Sequence, residues 1–84
     1  MRYRLLISME VVEFVERLPS RQRKPLRSAI AAIGEDPFAC SDATDFDDTG
    51  RSIHIRIAED FALMYWIDDV DRHVKILDIH ASDR

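Results

Sequence analysis

Apolar residues recur at two periods along this chain, and the period changes twice. In "RYRLLI" they alternate, placing Tyr3, Leu5 and Ile7 on one side of a first strand. From Ser8 the spacing becomes helical, and Val11, Val12, Phe14, Val15 and Leu18 make one apolar face. Ser8 has the side chain of an N-cap, and Glu10 in the first turn complements the helix dipole. Pro19 ends this helix, because the residue before a proline is held out of the helical region. A second helix follows Ser20 through "RQRKPLRSAIAAIG", with Leu26, Ala29, Ile30 and Ile33 as its buried stripe and Gly34 as its stop. Pro25 lies about one turn in, which puts the start of regular helix nearer Arg23 or Lys24 than Arg21. So short a connection folds the two helices into an antiparallel hairpin. "EDPF" leads out of it, with Phe38 expected to tuck back onto the core.

Next comes "ACSDATDFDDTG", a polar loop with a short edge strand around Phe46. Alternation then returns, and strands are expected from Arg51 to Ala58, Phe61 to Asp68 and Arg72 to Ile79, joined by "AED" and "DDVD". This order predicts an α+β fold. It comprises an N-terminal strand, a two-helix antiparallel hairpin, then an antiparallel sheet of three to four strands with the helices on one face. There are no repeats, linkers or low-complexity segments, and 84 residues make a single domain, 1–84.

Composition narrows the classes. An apolar fraction of 46% is that of a folded globule. The longest apolar runs, "VVEFV" and "IAAI", are far short of the roughly 20 residues of a spanning helix, so no membrane partner is expected. Glu10 interrupts any signal-peptide core, and a lone Cys40 suits a reducing cytoplasm. So small a domain is marginal alone, which makes a partner or a second copy plausible. The net charge of -4 argues against a nucleic-acid partner, but the charge is unevenly spread. Residues 1–27 hold seven Lys/Arg against three Glu, net +4, whereas residues 28–84 hold five against thirteen acids, net -8. That asymmetry permits a basic patch.

Candidate chemistry is sparse. Asp42, Asp45, Asp47 and Asp48 resemble a calcium loop in composition, but the twelfth residue from Asp45 is Arg56 and not a bidentate glutamate. A solvated loop is the better reading. His54, His73 and His80 lack helical i, i+4 pairing and a cysteine pair, so no metal is expected. Cys40 and Ser8 carry no signature of an activated nucleophile. Arg21, Arg23, Lys24 and Arg27 crowd one helix start and are a candidate nucleic-acid-binding set, with a solvated helix face as the alternative. In "IHIRI", period-2 alternation puts Ile53, Ile55 and Ile57 on one face and His54 and Arg56 on the other. With the helices on the isoleucine face, His54 and Arg56 would project from the open one. There an imidazole moves a proton and a guanidinium holds phosphate charge. The bland alternative is a solvated strand.

Taken together, "MRYRLLIS", "FVERLPSRQRKPLRSAIAAIGEDPF" and "GRSIHIRIAEDFALMYWID" resemble the RelE/ParE superfamily of bacterial and archaeal toxins over nearly the whole chain. The resemblance implies a toxin of a type II toxin–antitoxin operon, neutralised by a cognate antitoxin that wraps it. RelE-like members cleave messenger RNA in the ribosomal A site, using the ribose 2′-hydroxyl as nucleophile with basic side chains assisting. On this likeness His54 would transfer the proton, Arg56 would clamp the phosphate, and His80 or Arg84 would be auxiliary. No metal or other cofactor is implied. The match departs from the family at Ala62, where its "Y-R-I-x-Y" pattern has an arginine, and no late tyrosine follows "ILDIHASDR". The expectation is a toxin-like protein cleaving messenger RNA on the ribosome. The alternatives are a ParE-like inhibitor of DNA gyrase without catalysis, or a degenerate member that only binds its antitoxin.

Overall fold

Ser8 joins the first strand, β1 (Arg4–Ile7), to the first helix, α1 (Met9–Glu16). Its extended backbone and its hydroxyl, which accepts the Val11 N–H at 3.3 Å, cap the helix as the sequence predicts. The computed structural model describes residues 2–82. A second helix, α2 (Ser20–Glu35), is followed by β2 (Ala43–Phe46), β3 (Ser52–Ala58), β4 (Phe61–Asp68) and β5 (His73–Ala81).

Two helix boundaries differ from expectation. Regular helix begins at Ser20 despite Pro25, because the N–H groups of Gln22 and Arg23 both reach the Pro19 carbonyl at 2.9 Å. The pattern is therefore set a turn before the proline, which forfeits only the bond to the exposed Arg21. Gly34 is no stop: it is buried inside α2, and its carbonyl accepts the Tyr3 N–H at 2.8 Å. A Cβ there would lie 3.0 Å from Cγ and Cδ1 of Leu5, so glycine is what lets the last turn of α2 lie against β1. Gly34→Val is expected to cost about 1–3 kcal/mol by overpacking, read by urea denaturation, with Gly34→Ala milder because Leu5 can shift.

The sheet order is β1-β5-β4-β3-β2. The last four strands form the expected antiparallel run, while β1 adds to β5 in parallel, so the whole sheet is mixed and five-stranded. A parallel partner needs a crossover, and the helical hairpin supplies it. Both helices cover one face. Val11 and Val15 of α1, with Leu26, Ile30 and Ile33 of α2, pack on Phe61, Leu63 and Tyr65 of β4. Val74, Ile76 and Ile79 of β5 complete this core. The β4–β5 register slips between Met64 and Tyr65, leaving Leu77 unpaired. That bulge puts Ile76 and Ile79, three residues apart, on the same buried face. Beyond α2, Pro37 is fully buried and Phe38, expected to tuck onto the core, is 54% exposed.

Candidate functional site

Residues directly opposite in an antiparallel pair share a face. His54 lies opposite Tyr65 and Arg56 opposite Leu63, and both partners are fully buried in the helix-side core. His54 and Arg56 therefore point to the helix-covered side, and Ile53, Ile55 and Ile57 to the open one, the reverse of the sequence expectation. The segment 37–42 drapes over this end of β3. The Tyr65 hydroxyl donates to the Pro37 carbonyl at 2.6 Å, and the Asp42 N–H donates to the Ile55 carbonyl at 2.8 Å. Asp42 in turn accepts the Ile57 N–H at 2.8 Å.

His54 is held within this strap. Its ring stacks on Tyr65 at 5.5 Å between centroids and 20° between planes, and Phe38 meets it edge-on at 6.0 Å. Nδ1 lies 2.9 Å from the Ser41 hydroxyl. The Arg56 guanidinium faces Asp42 at 3.7 Å, and its Nε is buried without a hydrogen-bond partner. Burial pushes the His54 pKa below its ordinary value and raises that of Tyr65 to about 12. The folded protein thus prefers neutral His54. That contribution is complete above the ordinary histidine pKa and is lost as pH falls through the lowered one. Urea stability should decline on acidification below neutrality, and His54→Gln should flatten the decline.

His80, by contrast, pairs with Ala62 and projects from the open face. Ala62 is the position at which the resemblance has its arginine. The candidate catalytic residues are thus divided: His54 and Arg56 lie on one side of the sheet and His80 on the other. Arg84 lies outside the described residues.

The open face has its own features. Ile53, Ile55 and Ile57 of β3 adjoin Met64 and Trp66 of β4. Trp66 is flanked by two cations, with the Arg51 guanidinium 4.8 Å and the Lys75 ammonium 5.0 Å from its ring centroid. Sequence reasoning missed this trio, though Trp66 shares the phase of Ala62 and Met64 and opposes Phe61, Leu63 and Tyr65.

Two members of the basic run are engaged within the protein. Arg27 grips the Glu16 carboxylate at 2.5 and 2.7 Å, and Arg23 turns back to the Glu16 and Leu18 carbonyls at 3.4 and 3.5 Å, tying α2 to the end of α1. Arg21 and Lys24 are exposed. The acidic loop is engaged internally. Asp47 accepts bonds from the Thr49 hydroxyl and N–H and from Arg51 N–H and Nε. The Thr49 hydroxyl foremost, with those N–H groups and the Arg51 charge, lowers its pKa to about 2. At the β4–β5 turn Asp68, Asp71 and His73 bring possible ligand atoms within 4.8 Å, but Asp68 caps the Asp71 N–H at 3.1 Å there. That is the geometry of a turn. No helix among the described residues is long and apolar enough to cross a membrane.

This fold, a helical hairpin on one face of a five-stranded sheet with β1 parallel to β5 at one edge, is similar to that of solved toxin structures. RelE in the archaeal RelE–RelB complex of Pyrococcus horikoshii OT3 matches with a TM-score of 0.80 and 22% identity, over 100% of this chain and 99% of that one. The Mycobacterium tuberculosis toxin–antitoxin complex RelBE2 matches at 0.80 and 16%, over 96% and 92% of the two chains. A double mutant of Escherichia coli toxin RelE in the free state matches at 0.68 and 16%, over 96% and 84%. At these identities the likeness is one of fold. No protein-family model and no curated protein matches the sequence.

Proposed function

We propose that this chain is the toxin-like member of a toxin–antitoxin pair, held in the cytoplasm by a cognate antitoxin, and that it acts by binding and not by cutting RNA. The fold it shares end to end with RelE of the RelE–RelB complex supports the first part. The division of His54 and Arg56 from His80 supports the second. Cleavage of a phosphodiester needs its proton-moving and charge-holding groups on one substrate. Here His54 is packed between Tyr65 and Phe38, Arg56 is paired with Asp42, and His80 faces away from both. Losing a single preorganised donor costs about 2.7–4 kcal/mol of transition-state stabilisation, so a dispersed set leaves a ribonuclease very slow.

A ParE-like inhibitor of DNA gyrase needs no such set. Controlled induction in a bacterial host tests the reading. Growth arrest is expected from the native chain, from His80→Ala and from a His54→Ala/Arg56→Ala protein shown to be folded. Inhibition of supercoiling by purified gyrase then identifies the target. Arrest that is lost in the folded His80→Ala protein would restore the messenger RNA endoribonuclease on the ribosome. No arrest by any of the three would leave a protein that binds its antitoxin and poisons nothing.

A further inference from the structure

We propose that the open face of the sheet is a contact between two copies of this chain. A two-fold axis relates them, setting Trp66 on Met64 and Lys75 against Asp78 of the other copy. The pairing is independent of what the chain targets. Both helices pack on the opposite side of the sheet, so among the described residues no element covers this one. Ile53, Ile55, Met64 and Trp66 are only half-buried there, and Leu6, Ile57 and Leu77 are each at least 36% exposed. A contiguous apolar face of this kind marks an interaction surface.

Strand register arranges the face in rows. Leu6, Lys75 and Trp66 stand side by side in one row, and Ile53 continues it on β3. Asp78, Met64 and Ile55 stand in the next. Consider a two-fold axis between stacked sheets, running across the strands and midway between these rows. It lays each row on the other row of the second copy. Trp66 then meets Met64, Ile53 meets Ile55 and Lys75 meets Asp78, each contact being made twice. Indole and thioether are favourable neighbours. Sheets stacked face to face cross at about 30°, which displaces such central contacts little.

Charge selects a like copy as the occupant. Neither Lys75 nor Asp78 has an ion-pair partner among the described residues. The Lys75 ammonium lies over Trp66, and the Asp78 carboxylate accepts the adjacent Ile79 N–H at 2.8 Å. An apolar face with one unpaired charge of each sign, one row apart, is its own complement. Area sets the strength. Three strands of seven to nine residues and two of four, spaced about 4.8 Å with about 3.3 Å rise, present about 500 Å². A stable interface takes about 800 Å² from each partner, so this pairing is reversible, with a dissociation constant of about 100 micromolar.

Sedimentation equilibrium of the full chain tests it. Mass should rise from 9.8 kDa toward twice that between about 10 and about 500 micromolar. Trp66 is the sole tryptophan, so its emission should shift to the blue along the same curve. Ile55→Lys, shown to be folded by circular dichroism at low micromolar concentration, should raise the dissociation constant about tenfold or more. Lys75→Asp and Asp78→Lys should each do the same, and the double reversal should restore pairing to within about threefold of the native chain. A native chain that stays at 9.8 kDa throughout would overturn the pairing and leave the face to an unlike partner. Association without a shift at Trp66, or undiminished in folded Ile55→Lys, would put the contact elsewhere and overturn it too. A double reversal no better than its two parents would refute the two-fold arrangement.

Discussion

Replacing Tyr65 by alanine is expected to leave the protein largely unfolded in plain buffer. Tyr65 has no exposed surface and heads the fully buried side chains in volume. Its ring carries His54, and its hydroxyl holds the Pro37 carbonyl at 2.6 Å. Truncating a buried aromatic residue costs about 3–5 kcal/mol, and leaving a buried carbonyl unpaired adds about 1–3 kcal/mol. A domain of 84 residues has about 4–13 kcal/mol in total, so the two losses consume most of it. Tyr65→Phe keeps the ring and removes only the bond, and a loss of about 1–3 kcal/mol is expected. Urea titration followed by circular dichroism measures both. A native-like midpoint for Tyr65→Ala would mean that segment 37–42 is not anchored through this residue.

The second large effect tests which side of the sheet is covered. Leu63 has no exposed surface and stands between Arg56 of β3 and Ile79 of β5 on the helix side. Leu63→Lys would bury a cation beside Arg56, and several kcal/mol of destabilisation, enough to prevent folding, is expected. Ile55, between Ala43 and Met64 on the open face, is only half-buried. Ile55→Lys can carry its ammonium to water along its own stem, so a change of about 1 kcal/mol or less is expected. The two substitutions place the charge on opposite faces of the sheet. Their midpoints separate strongly if Leu63 faces the helices and converge if it does not.

That facing is also where reading the chain from its pattern succeeded and failed. The helical spacing after Ser8 and after Ser20 marks both helices, since each presents one apolar stripe to the sheet. The α+β order and the last four strands were equally legible. Gly34 was misread because a helix stop and a close approach to Leu5 ask for the same residue, and only the packing distinguishes them. The parallel placement of β1 beside β5 depends on contacts between the two ends of the chain, which local periodicity does not carry.

On β3 the pattern "IHIRI" by itself invites burial of the isoleucines. β4 is apolar at both phases, "FALMYWID", and so does not object. The register does. A two-residue turn at Glu59–Asp60 sets Ala58 opposite Phe61, hence Arg56 opposite Leu63 and His54 opposite Tyr65. Once Phe61, Leu63 and Tyr65 are assigned to the core, His54 and Arg56 must follow them. The sequence contained that constraint, but strand-by-strand alternation does not apply it. The Arg51–Trp66–Lys75 trio was hidden for the same reason, since it brings Arg51, just before β3, together with Trp66 of β4 and Lys75 of β5 and exists only in register.

The proposed reading is that His54, Arg56 and His80, the candidates among the described residues, form no assembled phosphodiester-cleaving set on this RelE-like fold. Primer extension on ribosome-bound messenger RNA, incubated with a large excess of the purified protein, tests it most directly. Full-length extension products alone are the expected result. New ends within the codon in the ribosomal A site, abolished in folded His54→Ala or His80→Ala proteins, would contradict it and show that residues on opposite sides of the sheet in this structure come to act on one RNA.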